Sequence, residues 1–319
     1  MIQTIRYFLL VTGPDLQLTH LRALEAIGRH GSFSRAAREL RLTQPAVSMQ
    51  IRLLERQVGV PLLERVGKRA LPTTAGAVML EHAARAFREL RAGLDRVQAL
   101  RGVVAGQVRL GTSAAISVYL LPRALRTFRA RYPAIELMVM TGLASDIARL
   151  VVANELDLGL VTLPLRDRAL AITPFYRDEL VAIAARDRAW PRRRPVSAAE
   201  LAREPMILFD HGSTVRRVID QWFHRAGVAP RAAMELGNTE AIKKLVEARL
   251  GLSVTSEFSV KADVAAGLLA ARRLDPPLFR QIGLVRRRDK ALTAPVQAFV
   301  AALDQLGHAL SARGRASRA

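Results

Sequence analysis

Two groups of residues in this chain have the types and spacing to do chemistry. The first lies between Gly31 and Arg69. There Gln44, Ser48, Gln50 and Arg52 form a polar row, and Arg65, Lys68 and Arg69 follow close behind. Amide, hydroxyl and guanidinium groups of this kind hydrogen-bond base edges and phosphate oxygens. The second group is dispersed but uniform: Thr112-Ser113, Thr141-Gly142, Thr162, His211-Gly212-Ser213-Thr214, Asn238-Thr239 and Thr255-Ser256. Each follows an apolar run, and nearly all precede a helical pattern. Plain helix capping explains any one of them. Gathered at one edge, such helix starts would offer free N–H groups to a small anion. Enzyme chemistry finds little support. The six histidines show no metal-ligand spacing, there is no cysteine, and neither G-x-S-x-G nor a P-loop occurs. His211 reads as a polar loop residue. Glu240 with Lys243 or Lys244 reads as a helix-start carboxylate beside a solvated face.

The first group needs a helix to hold it. Phe33, Ala36, Ala37 and Leu40 fall at helical spacing, and after Arg41-Leu42-Thr43 a second pattern runs through Val47, Ile51, Leu54 and Val58. Ser34 and Thr43 are the candidate N-caps, and Pro45 fits a first turn, where its missing N–H has no helical partner. Two short helices with a tight link make a helix-turn-helix. Gly59-Val60-Pro61 stops the second helix. Leu62–Leu71 then reads as a two-stranded wing with Gly67 at its tip, and Leu18, Leu21, Leu24 and Ile27 form the buried stripe of a preceding helix.

The phrase GSFSRAARELRLTQPAVSMQIRLLERQVGVPLLER strongly resembles the DNA-binding module of the LysR-type transcriptional regulators. RHGSFSRAARELRLTQPAVSMQIRLLE, GVPLLERVGKR and ELGNTEAIKKLVEA look most like the regulators of carbon-fixation operons within that family. The resemblance implies a winged helix-turn-helix over residues 18–72 whose contacts to double-stranded DNA come from Ser34, Thr43, Gln44, Pro45, Ser48, Arg52, Arg65, Lys68, Arg69 and Thr73. The family's module begins near Leu18. Residues 1–17 have no counterpart in it and are expected to be a loose extension, since Pro14-Asp15-Leu16 supplies no signal-peptide cleavage site.

A long helix follows, capped by Thr73 or Thr74. Leu80, Ala83, Phe87, Leu90, Leu94 and Val97 step by alternating threes and fours, a heptad seam. It suits a dimerising linker better than a helix lying on its own domain, and the family pairs this helix with its partner's copy. Residues 73–105 are thus expected to be linker and hinge, with Gly102–Gly106 as the hinge.

From Gln107 strands and helices alternate, which calls for a mostly parallel sheet covered on both faces. Strands are expected at 108–112, 135–141, 156–161, 180–185, 206–209, 234–236, 252–255 and 281–285. Helices are expected at 118–132, 144–153, 198–203, 215–226, 240–248 and 295–310. The resemblance implies an α/β fold of the periplasmic-binding-protein kind over residues 106–310. Lobe I would hold 106–176 and 266–310, lobe II 177–265, with two strands crossing between them. The effector would sit at the strand ends between lobes, at Thr112, Ser113, Thr141, Thr162, Ser213, Thr214, Asn238 and Thr255. Residues 311–319 are a small basic tail, expected to be disordered.

Composition agrees. The 319 residues suit about two domains, half are apolar, and no apolar run reaches the ~18 residues of a membrane span. The net charge of +21 suggests an anionic partner, but it divides as +8 over residues 1–105 and +13 over the rest, so charge alone does not locate DNA. The expected protein is a cytoplasmic, non-enzymatic regulator without cofactor. It would bind DNA, a small anionic effector and itself, as a dimer of dimers, and no membrane. A transporter's solute-binding protein would explain the lobes but not Gly31–Arg69.

Overall fold

The computed structural model describes residues 16–67, 69–100, 104–187 and 194–316. Most of the leader, Lys68, the start of the expected hinge and the last three residues lie outside these. The chain divides into two compact units at Gly93/Leu94.

The first unit holds α1 (Leu18–His30), α2 (Phe33–Leu40), α3 (Gln44–Val58), β1 (Leu63–Val66), β2 (Arg69–Pro72) and most of α4 (Thr74–Leu100). Leu21, Leu24 and Ile27 of α1 meet Ala36, Ala37, Val47, Ile51 and Leu54 in one core. Each large side chain buried there contributes about 1.5–3 kcal/mol. Leu18 does not join them and is 44% exposed. β1 and β2 pair antiparallel, and Gly67 turns between them at φ 62°. The wing is closed at its base by Gly76, where an added Cβ would lie 1.9 Å from the Leu62 carbonyl oxygen.

The heptad seam on α4 divides. Ala83 is buried and Leu80 and Phe87 pack on the first unit's core. Leu90, Leu94 and Val97 are 49%, 65% and 58% exposed. The seam's first half is therefore taken by its own domain, and only the second half is open to another chain.

The second unit contains β3 (Gly106–Thr112), α5 (Ala114–Tyr119), α6 (Leu121–Arg131), β4 (Ile135–Thr141), α7 (Ala144–Val152), β5 (Leu158–Thr162) and β6 (Leu170–Ala185). After these come β7 (Val196–Ser197), α8 (Ala198–Ala202), β8 (Pro205–Phe209), α9 (Thr214–Arg225), β9 (Arg231–Leu236), α10 (Thr239–Glu247) and β10 (Ser253–Ser256). The unit ends with α11 (Glu257–Ala265), β11 (Leu269–Arg287) and α12 (Ala294–Ala316). The main sheet runs β10-β6-β11-β5-β3-β4, with β7 beside β11, while β8 and β9 pair separately. β3 pairs parallel with β4 and β5, as expected, but β6 and β11 are antiparallel to each other.

The expected order of elements differs from the structure at four points. The helix expected at 118–132 is two, because Pro122 falls at the first turn of α6 and cannot continue α5 across Leu120. The strands expected at 180–185 and 281–285 are the ends of β6 and β11, which serve both lobes. Their other halves carry Thr173-Pro174 and Asp275-Pro276-Pro277 and lack a uniform pattern. Helix α11 was not anticipated. Helix α12 continues to Ala316, into the stretch expected to be disordered.

The lobes exchange where the core membership of β6 and β11 changes. Leu180 and Leu278 belong to the lobe II core, Tyr176 and Ile282 to that of lobe I. The first crossing lies close to the expected 176/177, but the second comes after Leu278, later than the expected 265/266.

Candidate functional site

On the first unit, α3 begins at Thr43, whose Oγ1 accepts from the Ala46 N–H at 3.4 Å, and Pro45 sits in the first turn. The cap of α2 is Ser32, accepting from Arg35; Ser34 lies inside the helix and is exposed. Gln44 and Arg52 are exposed. Ser48, half-buried, borders with Arg52 and Arg65 a concavity of about 270 Å³ between α3 and the wing. At about 100° per residue these three α3 positions share one side of the helix. Gln50 falls on another side, half-buried with its Oε1 unpartnered, and leaves the polar row.

Arg65 and Arg69 are exposed on the wing; Lys68 lies outside the described residues. The Thr73 hydroxyl is engaged inside the protein. It donates to the Pro61 carbonyl at 2.8 Å and accepts from Gly76 N–H, so it shapes the wing's base. The sequence reading missed Glu55, whose Oε1 accepts from the N–H groups of Leu62 (2.8 Å) and Leu63 (3.2 Å) and holds the wing against α3.

The second unit contains a cleft of about 270 Å³ between its lobes. Of the eight expected ligand residues, Ser113, Thr141, Thr162, Ser213 and Thr214 border it. Thr112, Thr255 and Asn238 do not. Thr112 is fully buried and donates to the Leu160 carbonyl, and Thr255 bonds Ser259. Asn238 caps α10, accepting from Glu240 N–H at 2.7 Å, while its neighbours Gly237 and Thr239 border the cleft. The first turns of α7, α9 and α10 all reach this space, so helix N-termini from both lobes converge there. His211 stands 73% exposed beside Glu235, outside the lining. Lys243 is no part of a solvated face. It is buried, with Nζ 2.7 Å from Asp263 Oδ2 and 3.1 Å from the Ser259 carbonyl.

Two charged residues border the cleft, Asp210 and Arg280, and the sequence marked neither. Arg280, 3% exposed, sits on β11 directly opposite Asp178 of β6, at the crossing of the lobes. Its Nε donates to Asp178 Oδ2 at 2.6 Å, and Ser256 Oγ donates to the other carboxylate oxygen at 3.0 Å. Burial pushes the Asp178 carboxyl above its usual range, and the Arg280 charge and hydrogen bond pull against that. Arg280 borders the cleft; its guanidinium lies 5.8 Å from the Phe258 ring centre, and its Nη2 has no hydrogen-bond partner among the described residues. The only sequence signal was an arginine in a mixed strand, Leu278-Phe279-Arg280-Gln281. Nothing in that string pairs it with a residue on β6.

A winged helix-turn-helix joined to a two-lobed α/β domain with a polar cleft defines a ligand-responsive, DNA-binding transcriptional regulator. Residues 18–77 match the family described as "Bacterial regulatory helix-turn-helix protein, lysR family", and residues 101–307 match "LysR substrate binding domain". The chain belongs to the LysR family of bacterial regulators. It resembles the RuBisCO operon transcriptional regulator of Allochromatium vinosum, 33% identical over 285 residues, 89% of this chain and 94% of that one. The fold of full-length CbnR, in a crystal structure with its target DNA, matches with a TM-score of 0.70 at 24% identity, covering 91% of this chain and 100% of that one. The regulatory domain of CcmR from Synechocystis PCC6803, in complex with 2-PG, matches with a TM-score of 0.59 at 29% identity, covering 63% of this chain and 97% of that one. Among the described residues no helix is long and apolar enough to cross a membrane.

Proposed function

We propose that this chain is a cytoplasmic regulator of a carbon-fixation operon whose hold on operator DNA is set by a small anion bound between its lobes. The relatives that regulate RuBisCO operons support the operon class. The observation that carries the ligand class is the unpartnered Nη2 of buried Arg280, beside the first turns of α7, α9 and α10. In this reading the cleft works by binding and not by turnover. Gln44, Ser48 and Arg52 read bases, while Arg65, Lys68 and Arg69 hold phosphates. The open half of the seam, Leu90, Leu94 and Val97, takes a second copy of α4, and the lobes join two such dimers.

The test is footprinting of the full chain on the DNA upstream of its gene, with and without small phosphorylated and carboxylated metabolites. The reading requires protection that at least one such anion changes. Protection that no anion alters in extent or pattern refutes the ligand half of the proposal, and absent protection refutes the whole.

A further inference from the structure

Among the described residues, three polar atoms of residues bordering the cleft have no hydrogen-bond partner: Arg280 Nη2, Thr162 Oγ1 and Asp210 Oδ1. Their demands differ. The guanidinium nitrogen only donates, an ionised carboxylate oxygen only accepts, and a hydroxyl does either. They also come from different parts of the unit. Thr162 ends β5 in lobe I, Asp210 follows β8 in lobe II, and Arg280 lies on the crossing strand.

The Asp210 carboxylate has no visible structural duty. The turn from β8 into α9 is made by the backbone, with Asp210 N–H donating to Leu236 and Asp210 C=O accepting from Ser213 N–H. Ser213, not Asp210, caps α9. Room is nevertheless kept for this side chain, since a Cβ on Gly237 would lie 2.8 Å from Asp210 Oδ2. An unpaired buried acceptor in a turn that does not need it points to a ligand.

The charges limit that ligand. Arg280 is already offset by Asp178, so the carboxylate of Asp210 adds a further negative charge to the cleft lining. A molecule with negative charge at both ends would satisfy Arg280 but set like charges together at Asp210. Resting on the reading of the cleft as the effector site, we propose that the effector carries an anionic group for Arg280 and a hydrogen-bond donor, hydroxyl or ammonium, for Asp210. Asp210 is then the residue that selects against anions lacking the donor.

Calorimetry of the full chain with a matched series of three-carbon phosphates tests this: propyl phosphate, glycerol 3-phosphate and 3-aminopropyl phosphate. A charge-assisted hydrogen bond corresponds to a ratio of about 10 to 100. Glycerol 3-phosphate or 3-aminopropyl phosphate should bind tighter than propyl phosphate by that factor, and the tighter one identifies the donor. Asp210→Ala should bring the ratio near one while propyl phosphate still binds. Arg280→Gln should weaken all three by about 10-fold or more. The matched pair Arg280→Gln with Asp178→Asn should do the same and leaves no buried charge unpaired. Equal affinities across the series in the unaltered chain, or a preference that survives Asp210→Ala, would overturn the donor role and leave the cleft reading intact. Binding of none of the phosphates, or binding indifferent to the paired change at Arg280 and Asp178, would overturn both.

Discussion

Gln44 and Arg52 stand exposed on one side of α3, so truncating them removes contacts without disturbing the core. In the proposed docking Gln44→Ala loses discrimination between operator and mutated operator, at about 1–3 kcal/mol for a bidentate contact. Lys68→Ala weakens all sequences alike and lowers the salt slope by about one unit. Titrations at two salt concentrations separate the outcomes, and operator affinity unmoved by either change refutes the docking. A second residue-scale expectation concerns Glu39 on α2. It receives His30 Nε2 at 2.5 Å and Arg29 Nη2 at 2.9 Å from the end of α1. The His30 hydrogen bond, then the Arg29 charge, hold the Glu39 carboxyl below its ordinary range. A depressed carboxyl stabilises the fold above its unfolded pKa, and that contribution is lost as pH falls through the folded value. Amide-exchange protection of α1 and α2 should therefore decline between about pH 5 and pH 3. Glu39→Gln should remove that part of the decline; an identical decline in the variant would refute the assignment.

At the scale of elements, α4 shows one sequence pattern serving two surfaces. Its heptad continues without a break, yet Ala83 is 2% exposed and Leu94 65% exposed. A charge at the buried end and a charge at the open end therefore have different consequences. Ala83→Asp buries an unpaired carboxylate and should unfold the first unit. Leu90→Asp with Leu94→Asp should halve the mass seen by light scattering at micromolar concentration and leave the circular dichroism unchanged. An unchanged mass with the fold intact would mean that this half of the seam is not the dimer contact. Phe87, which packs on its own unit's core and lies 5.7 Å from the Arg22 guanidinium, is a poor probe of dimerisation for the same reason.

At the scale of the whole molecule, ligand and DNA are coupled only as far as the ligand prefers one state over another. A typical coupling of about 1–3 kcal/mol changes operator affinity roughly 5- to 150-fold. Linkage requires the reverse effect to be equal, so calorimetry of the effector against the chain alone and the chain on operator DNA should give the same factor. A ligand that fills the cleft with equal affinity in both states would uncouple the sites. The sequence by itself determined the elements of the first unit and most of the order of elements in the second. Helix-turn-helix patterning is local: Thr43, Pro45 and the stripe Val47, Ile51, Leu54 carry their period, cap and turn within one short stretch. It also marked the cleft's hydroxyl rim, because a strand end followed by a helix cap is local too; Ser113, Thr141, Ser213 and Thr214 were found that way. Only the tertiary structure decided the rest. Asp178 and Arg280 are 102 positions apart and meet because β6 and β11 pair across the lobes. Thr112 and Thr255 have the same residue type and setting in sequence as the cleft's threonines, yet their hydroxyls bond inside the protein, at Leu160 and Ser259. Residue type and spacing fix what a side chain can do. Which partner uses it up depends on strands brought together from distant parts of the chain.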